Sequence, residues 1–497
     1  MTRRSIPRCR TGINIDQYRR HTLLVDRIIP DILESPAMPN SRRQFLRSST
    51  AFATGIAGLQ IFANRAHARK IRGYGPLVRD PNQVMDLPPG FSYRIISKSG
   101  QPMSDGFVVP KAPDGMGAFA GNAGKTILVR NHEVNADVSR KEGAFGDQNR
   151  FLPRLPKSKI YDTGSKSGKP TLGGCTTIVY NHRTGQAEKQ FLSLAGTLRN
   201  CAGGPTPWGT WLSCEESDDI AGKSLAQDHG YVFEVPASEE MKVVDPIPLK
   251  AMGRFRHEAV AVDPKTKIVY LTEDRGEGLI YRFLPHRFGK LSAGGRLQAL
   301  ALTAQPAYDT RNWKTALMPW QIPMDVRWID LEDINSKKDD LRFRGAKQGA
   351  AIFARGEGMW WGRGSVYFAC TNGGKAQKGQ IFKYTPSPQE GNAGELRQSG
   401  KLELFIEPND ARLIDNCDNI TVSPRSGDLF CCEDNDHGGE QNIVGVIPNG
   451  DAFIFAHNAM NSSELAGACF SPDGSTLFVN IYKPGVTLAI TGPFRKA

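Results

Sequence analysis

Residues 200–216 read NCAGGPTPWGTWLSCEE, with Cys201, Cys214, Glu215 and Glu216 in one stretch broken by glycine and proline. Two cysteines this close could close a disulfide, and a thiolate beside carboxylates could edge a metal site. Other acid-bearing stretches raise the same question. HEAVA at 257–261 carries Glu258 after a histidine, but lacks the second histidine that zinc chelation on a helix requires. EDNDHGGE at 433–440 has the composition of a calcium loop, yet the twelfth position counted from Asp434 is Gly445, not the glutamate of an EF-hand. A GxSxG elbow, a P-loop and HExxH are all missing, which sets aside the common serine-hydrolase, nucleotide-binding and zincin chemistries.

The elements that must position these residues recur along the chain. KTILVRNHE ends at Glu133, WGTWLSCEE at Glu216, KIVYLTED at Asp274, SVYFACTN at Asn372, DLFCCEDN at Asn435 and TLFVN at Asn480. Each is a β-rich run closed by an acid or amide. Three follow explicit turn signals: VDPKTK at 262–267, SPRSGD at 423–428 and SPDGS at 471–475. Pro424 and Pro472 lie 48 residues apart, a propeller-like period. A second polar residue stands about fifteen residues before the strand end: Asn200 before Glu216, Glu258 before Glu273, Glu357 before Asn372, Asp418 before Glu433, Glu464 before Asn480. In a propeller the innermost strands line one channel, so equivalent residues of separate blades converge there. Converging carboxylates repel unless cations neutralise them. The expectation is an all-β, six-bladed β-propeller over about 75–497, with a polar, metal-binding central channel. The run GFSYRIIS is expected to pair with the last blade and close the ring.

Composition agrees with this fold class. The 52 glycines and 32 prolines among 497 residues favour frequent turns over long helices. The first 68 residues read differently. Arg42 and Arg43 are followed by Phe45 and Leu46, by a mildly apolar run over 51–63, and by Ala66-His67-Ala68. This is the order of a twin-arginine export signal, cleaved after Ala68. Its apolar run is too short to span a bilayer. Met38 offers an alternative start, and the arginine-rich stretch before it reads as an upstream extension. The expected division is therefore 1–68, extension and signal, and 69–497, a single propeller domain acting in the periplasm or outside the cell. The first 68 residues carry 11 basic and 4 acidic side chains, leaving 52 against 47, so the net charge falls from +12 to about +5. No basic stripe interleaved with aromatics remains, which argues against a nucleic-acid partner. Eight cysteines follow Ala68, without a CxxC pair, and Cys214, Cys370 and Cys432 sit in apolar runs as small core residues.

The motifs NCAGGPTPWGTWLSCEE, GRFRHEAVAVDP, YLTEDRGEGLIYRF, ARGEGMWW, DNITVSPRSGDLF and ELAGACFSPDGSTLFVNIY, in this order from about residue 80 onward, resemble the PhoX alkaline phosphatases. The resemblance implies a twin-arginine-exported propeller whose pore holds iron (Fe) and calcium (Ca) and which hydrolyses phosphate monoesters. By position it implies Cys201 as a thiolate iron ligand and Glu258 as a bridging iron carboxylate. Arg355, the catalytic candidate, and Glu357 would face the phosphate and a calcium. Glu215 and Glu216 are implied as further ligands, with the inward-pointing one undecided. Glu273 joins the candidate metal ligands. The implied partners are a small phosphate-ester substrate and, during export, the twin-arginine machinery, without stable membrane insertion after cleavage. The chemistry is consistent: one soft thiolate among hard carboxylates suits a mixed iron–calcium cluster, and a guanidinium fork suits phosphate. On that reading Cys201 is the ligand and Cys214 packing, the disulfide between them being the alternative. Two rival functions stay open: a calcium-dependent propeller lactonase or esterase, which has no use for a thiolate, and a non-catalytic, partner-binding propeller without tightly bound metal.

Overall fold

The computed structural model describes residues 73–136, 141–166, 169–315, 317–435 and 438–496. The export segment expected over 1–68 lies outside them. The described residues form twenty-five strands and one α-helix, Leu341–Lys347, and no helix among them is long and apolar enough to cross a membrane.

The strands pair antiparallel into a propeller. Six strands are innermost: Pro113–Ala120, Asn200–Pro205, His257–Val262, Gly356–Gly362, Cys417–Val422 and Leu465–Phe470. Each lies against the next, and the last against the first, in a closed ring. The expected turns sit where the strands reverse. Asp263 accepts bonds from Lys265 N at 2.8 Å and Thr266 Oγ1 at 2.7 Å, and Gly427 and Gly474 take the positive φ that their turns demand.

The sheet count differs from expectation: five hydrogen-bonded sheets, not six. Met324–Asp330 extends the blade that begins at His257, pairing with Gly295–Leu302 on one side and with Lys401–Ile406, the outer edge of the next blade, on the other. Two four-stranded blades thereby become one nine-stranded sheet, and two exposed edges are satisfied at once. Closure follows the sequence expectation. Ser92–Lys98, which contains most of GFSYRIIS, pairs with Val486–Thr491 as the outer strand of the last blade. Met85–Asp86 likewise pairs with Ala452–Asn458.

The core fills the spaces between sheets. Phe430, Phe455, Phe470 and Phe494 meet mostly edge to face, with ring centroids 5.2–5.7 Å apart. Cys175, Cys214, Cys370, Cys431, Cys432 and Cys469 are buried thiols without disulfides. Cys214 packs with Leu212, Val232 and Leu271, so its disulfide to Cys201 is absent and its role is packing.

Candidate metal centre

One local device recurs in every innermost strand. Pairing with the next strand is regular, then slips by a bulge near the strand start: between Pro113 and Met116, Asn200 and Gly203, His257 and Val260, Gly356 and Met359, Cys417 and Ile420, and Ala466 and Cys469. A bulge breaks the alternation of faces and re-aims a side chain. In the first five strands the second residue occupies that place, Asp114, Cys201, Glu258, Glu357 and Asp418; in the sixth the slip comes one residue later, after Ala466. A small residue follows in five of the six. A Cβ on Gly358 would stand 2.5 Å from the Asp418 carbonyl oxygen, and one on Gly467 2.1 Å from that of Asp114. The strands approach so closely because nothing protrudes there. Below, a cavity of only about 20 Å³ remains, walled by Met116, Trp211, Met359 and Trp360. The expected channel is therefore polar at one end and narrow at the other.

The backbone of three aimed residues is held by side chains of other strands. Asn131 Nδ2 donates to the carbonyls of Cys201 (3.0 Å) and Ala202 (2.7 Å), while its Oδ1 accepts from Trp211 Nε1 and Ser213 Oγ. Thr272 Oγ1 donates to the Glu357 carbonyl at 2.7 Å, and Asn480 Nδ2 to that of Asp114 at 2.6 Å. Buried amides saturated in this way fix positions rather than offering ligands.

What converges is a chain of three donor groups. Asp114, Glu133 and Cys201 form one, Cys201, Glu216 and Glu258 the next, and Glu258, Glu357 and Asp418 the third; within each, the donor atoms all lie within 4.8 Å of one another. Cys201 and Glu258 are shared, so the groups make one continuous line. Asp114 Oδ1 and Asp418 Oδ1 are buried without a hydrogen-bond partner. Orphaned buried carboxylate oxygens are what a cation would satisfy. Electrostatics points the same way. Burial and then Glu133 drive the Asp114 carboxyl well above its usual range, and burial and then Glu357 do the same to Glu258. Burial and Asp274 raise Glu357 against the pull of Arg355. Glu216 is pushed up to about 7 by burial and Asp274, and Asp418 to about 7 by burial and Asp434. The Cys201 thiol, whose Sγ donates to Glu216 Oε2 at 3.2 Å, is held well above normal by burial and Glu133. Six acids and one thiol cannot all ionise in this volume without positive charge. The donors fit cations.

Two arginines flank the line. Arg199 and Arg355 each stand two residues before an aimed side chain, in the left-handed region at φ 48° and 50°. Such backbone strain clusters at functional sites. Arg355 reaches Asp274 through Nε (2.8 Å) and Nη2 (2.9 Å), and Glu357 through Nη2 (2.9 Å). Arg199 Nη2 bonds Glu133 at 2.9 Å and also Glu216. Neither Nη1 makes a hydrogen bond within the described protein, and Arg355 lines an open pocket of about 280 Å³.

Of the candidate ligands, Cys201, Glu216, Glu258 and Glu357 come together, with Arg355 beside them. Glu215 and Glu273 do not join the line. Each lies opposite the first residue of an inner strand, Glu215 across from Asn200 and Glu273 across from His257, and so points into its own blade. Glu215 accepts from His229 Nδ1, Leu198 N and Gly230 N, and Glu273 accepts from Tyr281 Oη at 2.7 Å. His229, fully buried, bridges Glu215 (2.7 Å) to Asp162 (3.2 Å). Burial alone would lower its pKa, but the two carboxylates raise it to about 10, so it is an imidazolium that clamps the loop after Glu216. Asp114 and Arg199 went unnoticed in the sequence, and Glu133 and Asp418 were placed only as strand termini. A carboxylate followed by a small residue at a strand start, as in PDGMGAF, is the signal that finds Asp114.

A pH dependence follows for the metal-free protein. Glu216 and Asp418 titrate near 7 when folded, against ordinary values of 4.5 and 3.8. The unfolded chain releases these protons first, so the stability present in acid is lost as pH rises from about 4 through about 7. Thermal unfolding of chelator-treated protein should show a falling Tm over that window, and metal should flatten it; a flat metal-free profile contradicts the cluster.

The family model described as alkaline phosphatase PhoX matches residues 72–485. A search of curated proteins finds no match. Among solved structures, a gluconolactonase from Xanthomonas campestris is similar at 11% identity over 85% of this chain and 100% of that one, with a TM-score of 0.36. The PQQ domain of pyranose dehydrogenase from Coprinopsis cinerea is similar at 9% identity over 83% and 98%, with a TM-score of 0.30. Likenesses this distant carry no functional argument.

Proposed function

The chain belongs to the alkaline phosphatase PhoX family, and from that premise we propose that it hydrolyses phosphate monoesters with an iron–calcium centre held in the channel. Family membership makes it a phosphatase-type hydrolase; the monoester preference, the metals and the compartment are the proposal. One observation supports it above the others: three donor groups share Cys201 and Glu258 in an unbroken line. The soft donor Cys201 takes part in two groups, which suits iron, and the all-carboxylate group of Glu258, Glu357 and Asp418 suits calcium. A calcium-only lactonase would have no use for the thiolate.

Bound there, the cations would supply positive charge to phosphoryl oxygens and a water deprotonated near neutral pH. The remaining work falls to the chain. Asp274 and Glu357 fix the plane of the Arg355 guanidinium at the pocket wall, leaving Nη1 to donate to a phosphoryl oxygen. Lysine could not reproduce that fork. Glu216 Oε2, 3.2 Å from Cys201 Sγ, is placed to accept the thiol proton when the thiolate forms. Beneath the carboxylates the channel narrows to a space of about 20 Å³ between Met116, Trp211, Met359 and Trp360, room for about one water. Export by the twin-arginine route, cleavage after Ala68, and action in the periplasm or outside the cell, without membrane insertion or a nucleic-acid partner, belong to the same proposal and rest on the sequence of 1–68.

Protein purified after expression of the full chain should contain iron and calcium by elemental mass spectrometry and hydrolyse an aryl phosphate at alkaline pH. Chelation should abolish turnover, and restored metals should return it. Absence of both elements, or metal-loaded protein inert toward every phosphate monoester, would falsify the proposal.

A further inference from the structure

The pocket beside Arg355 has a volume of about 280 Å³, at the low end for small-molecule sites. Its walls are Asn372, Gln377, Lys378, Asn416 and Asp434, with Arg355 on the channel side. The only other lining residue is Ala376, so an apolar or aromatic group finds nothing to pack against. The polar wall is firmly mounted. Trp313 Nε1 donates to the Asn372 carbonyl at 2.7 Å, Asn416 Nδ2 to the Thr371 carbonyl at 3.1 Å, and Lys378 Nζ pairs with Asp415 at 2.6 Å. One side chain on this wall is uncommitted: Asn372, whose Oδ1 is shielded from solvent, makes no side-chain hydrogen bond within the described protein, which leaves its Nδ2 free to donate.

We infer that this pocket is the subsite for the alcohol half of the ester, and that it takes a compact, hydroxyl-bearing group, glycerol or a single sugar, in preference to an aromatic ring. The inference rests on the phosphatase reading above and deepens it. Arg355 joins the two halves: it bonds Glu357 in the metal line and lines the pocket, so an ester whose phosphoryl group meets Arg355 directs its alcohol toward Asn372. There a hydroxyl oxygen accepts from Asn372 Nδ2, while Lys378 and Asn416 offer donors to neighbouring oxygens. Hydrolysis breaks the phosphorus–oxygen bond to that alcohol; water gives its hydroxyl to phosphorus and its second proton to the leaving oxygen. The volume holds a glycerol or a single sugar ring.

The test is a ratio. kcat/KM is measured on metal-loaded protein for β-glycerophosphate and for p-nitrophenyl phosphate, in wild type, Asn372→Leu and Gln377→Gly. Gln377 is exposed and sits at φ 53°, so glycine removes its side chain without straining the backbone. The glycerol-to-aryl ratio should fall about tenfold in Asn372→Leu and several-fold in Gln377→Gly, the size expected for one lost hydrogen bond. A ratio unchanged in both variants, with metal content equal to wild type, overturns the subsite and leaves the phosphatase reading standing. Hydrolysis of neither ester by metal-loaded wild type overturns both.

Discussion

Glu258→Gln should strip the centre of metal and lower kcat/KM at least about 10³-fold, while making the metal-free protein more stable than wild type. Glu258 is the carboxylate common to the second and third donor groups, so its loss breaks the line at a shared point. The opposite sign in the metal-free state comes from burial. Burial and Glu357 hold this carboxyl well above its ordinary 4.5. Because its folded pKa is raised, the metal-free protein loses stability at this carboxyl as pH rises above the unfolded value, a cost that glutamine does not carry. Thermal unfolding with and without chelator separates the two effects: the variant should melt above wild type in chelator and below it with metal. A variant that keeps metal and activity, or melts below wild type in both conditions, would show that Glu258 is not a shared ligand.

The second large effect should come from Cys201→Ser. Serine keeps the donor to Glu216 but removes the soft ligand, and the residue sits in two of the three groups. Iron should fall far below stoichiometric levels, and hydrolysis should drop by about 10³-fold or more. Calcium should be retained, because Glu258, Glu357 and Asp418 do not need the thiolate. Elemental analysis of the same sample reads both metals. Equal loss of both would mean that a single cooperative cluster replaces separable sites; full retention of iron would remove Cys201 from the centre.

Much of this arrangement was legible in the chain. Runs closed by acids announced the blades, VDPKTK, SPRSGD and SPDGS announced their turns, and GFSYRIIS announced the closing strand. Glu216, Glu258 and Glu357 stood at strand starts or ends that a propeller must gather, and Cys201 was singled out by the resemblance of NCAGG to the family. What misled was alternation. In a regular strand a one-residue slip reverses the face, and the bulge near the start of each inner strand adds such a slip. Glu273 and Glu215 therefore turn into their blades, whereas Asp274 and Glu216, one residue on, reach the channel. Nothing in the spacing alone reveals a bulge. Arg199 was invisible for another reason: an arginine before a strand is ordinary, and only its tie to both Glu133 and Glu216 gives it a place. The joining of two blades through Met324–Asp330 depends on an edge-to-edge pairing of Met324 with Leu402 and Asp325 with Lys401, far apart in the chain, which periodicity does not encode.

The closing strand also dictates an order of events. The donors run from Asp114 to Asp418, yet the circle that presses them together is locked only when Ser92–Lys98 zips onto Val486–Thr491. Ser92 and Thr491, paired across that seam, are 399 residues apart, so the seam joins segments from opposite ends of the propeller and forms only when both are present.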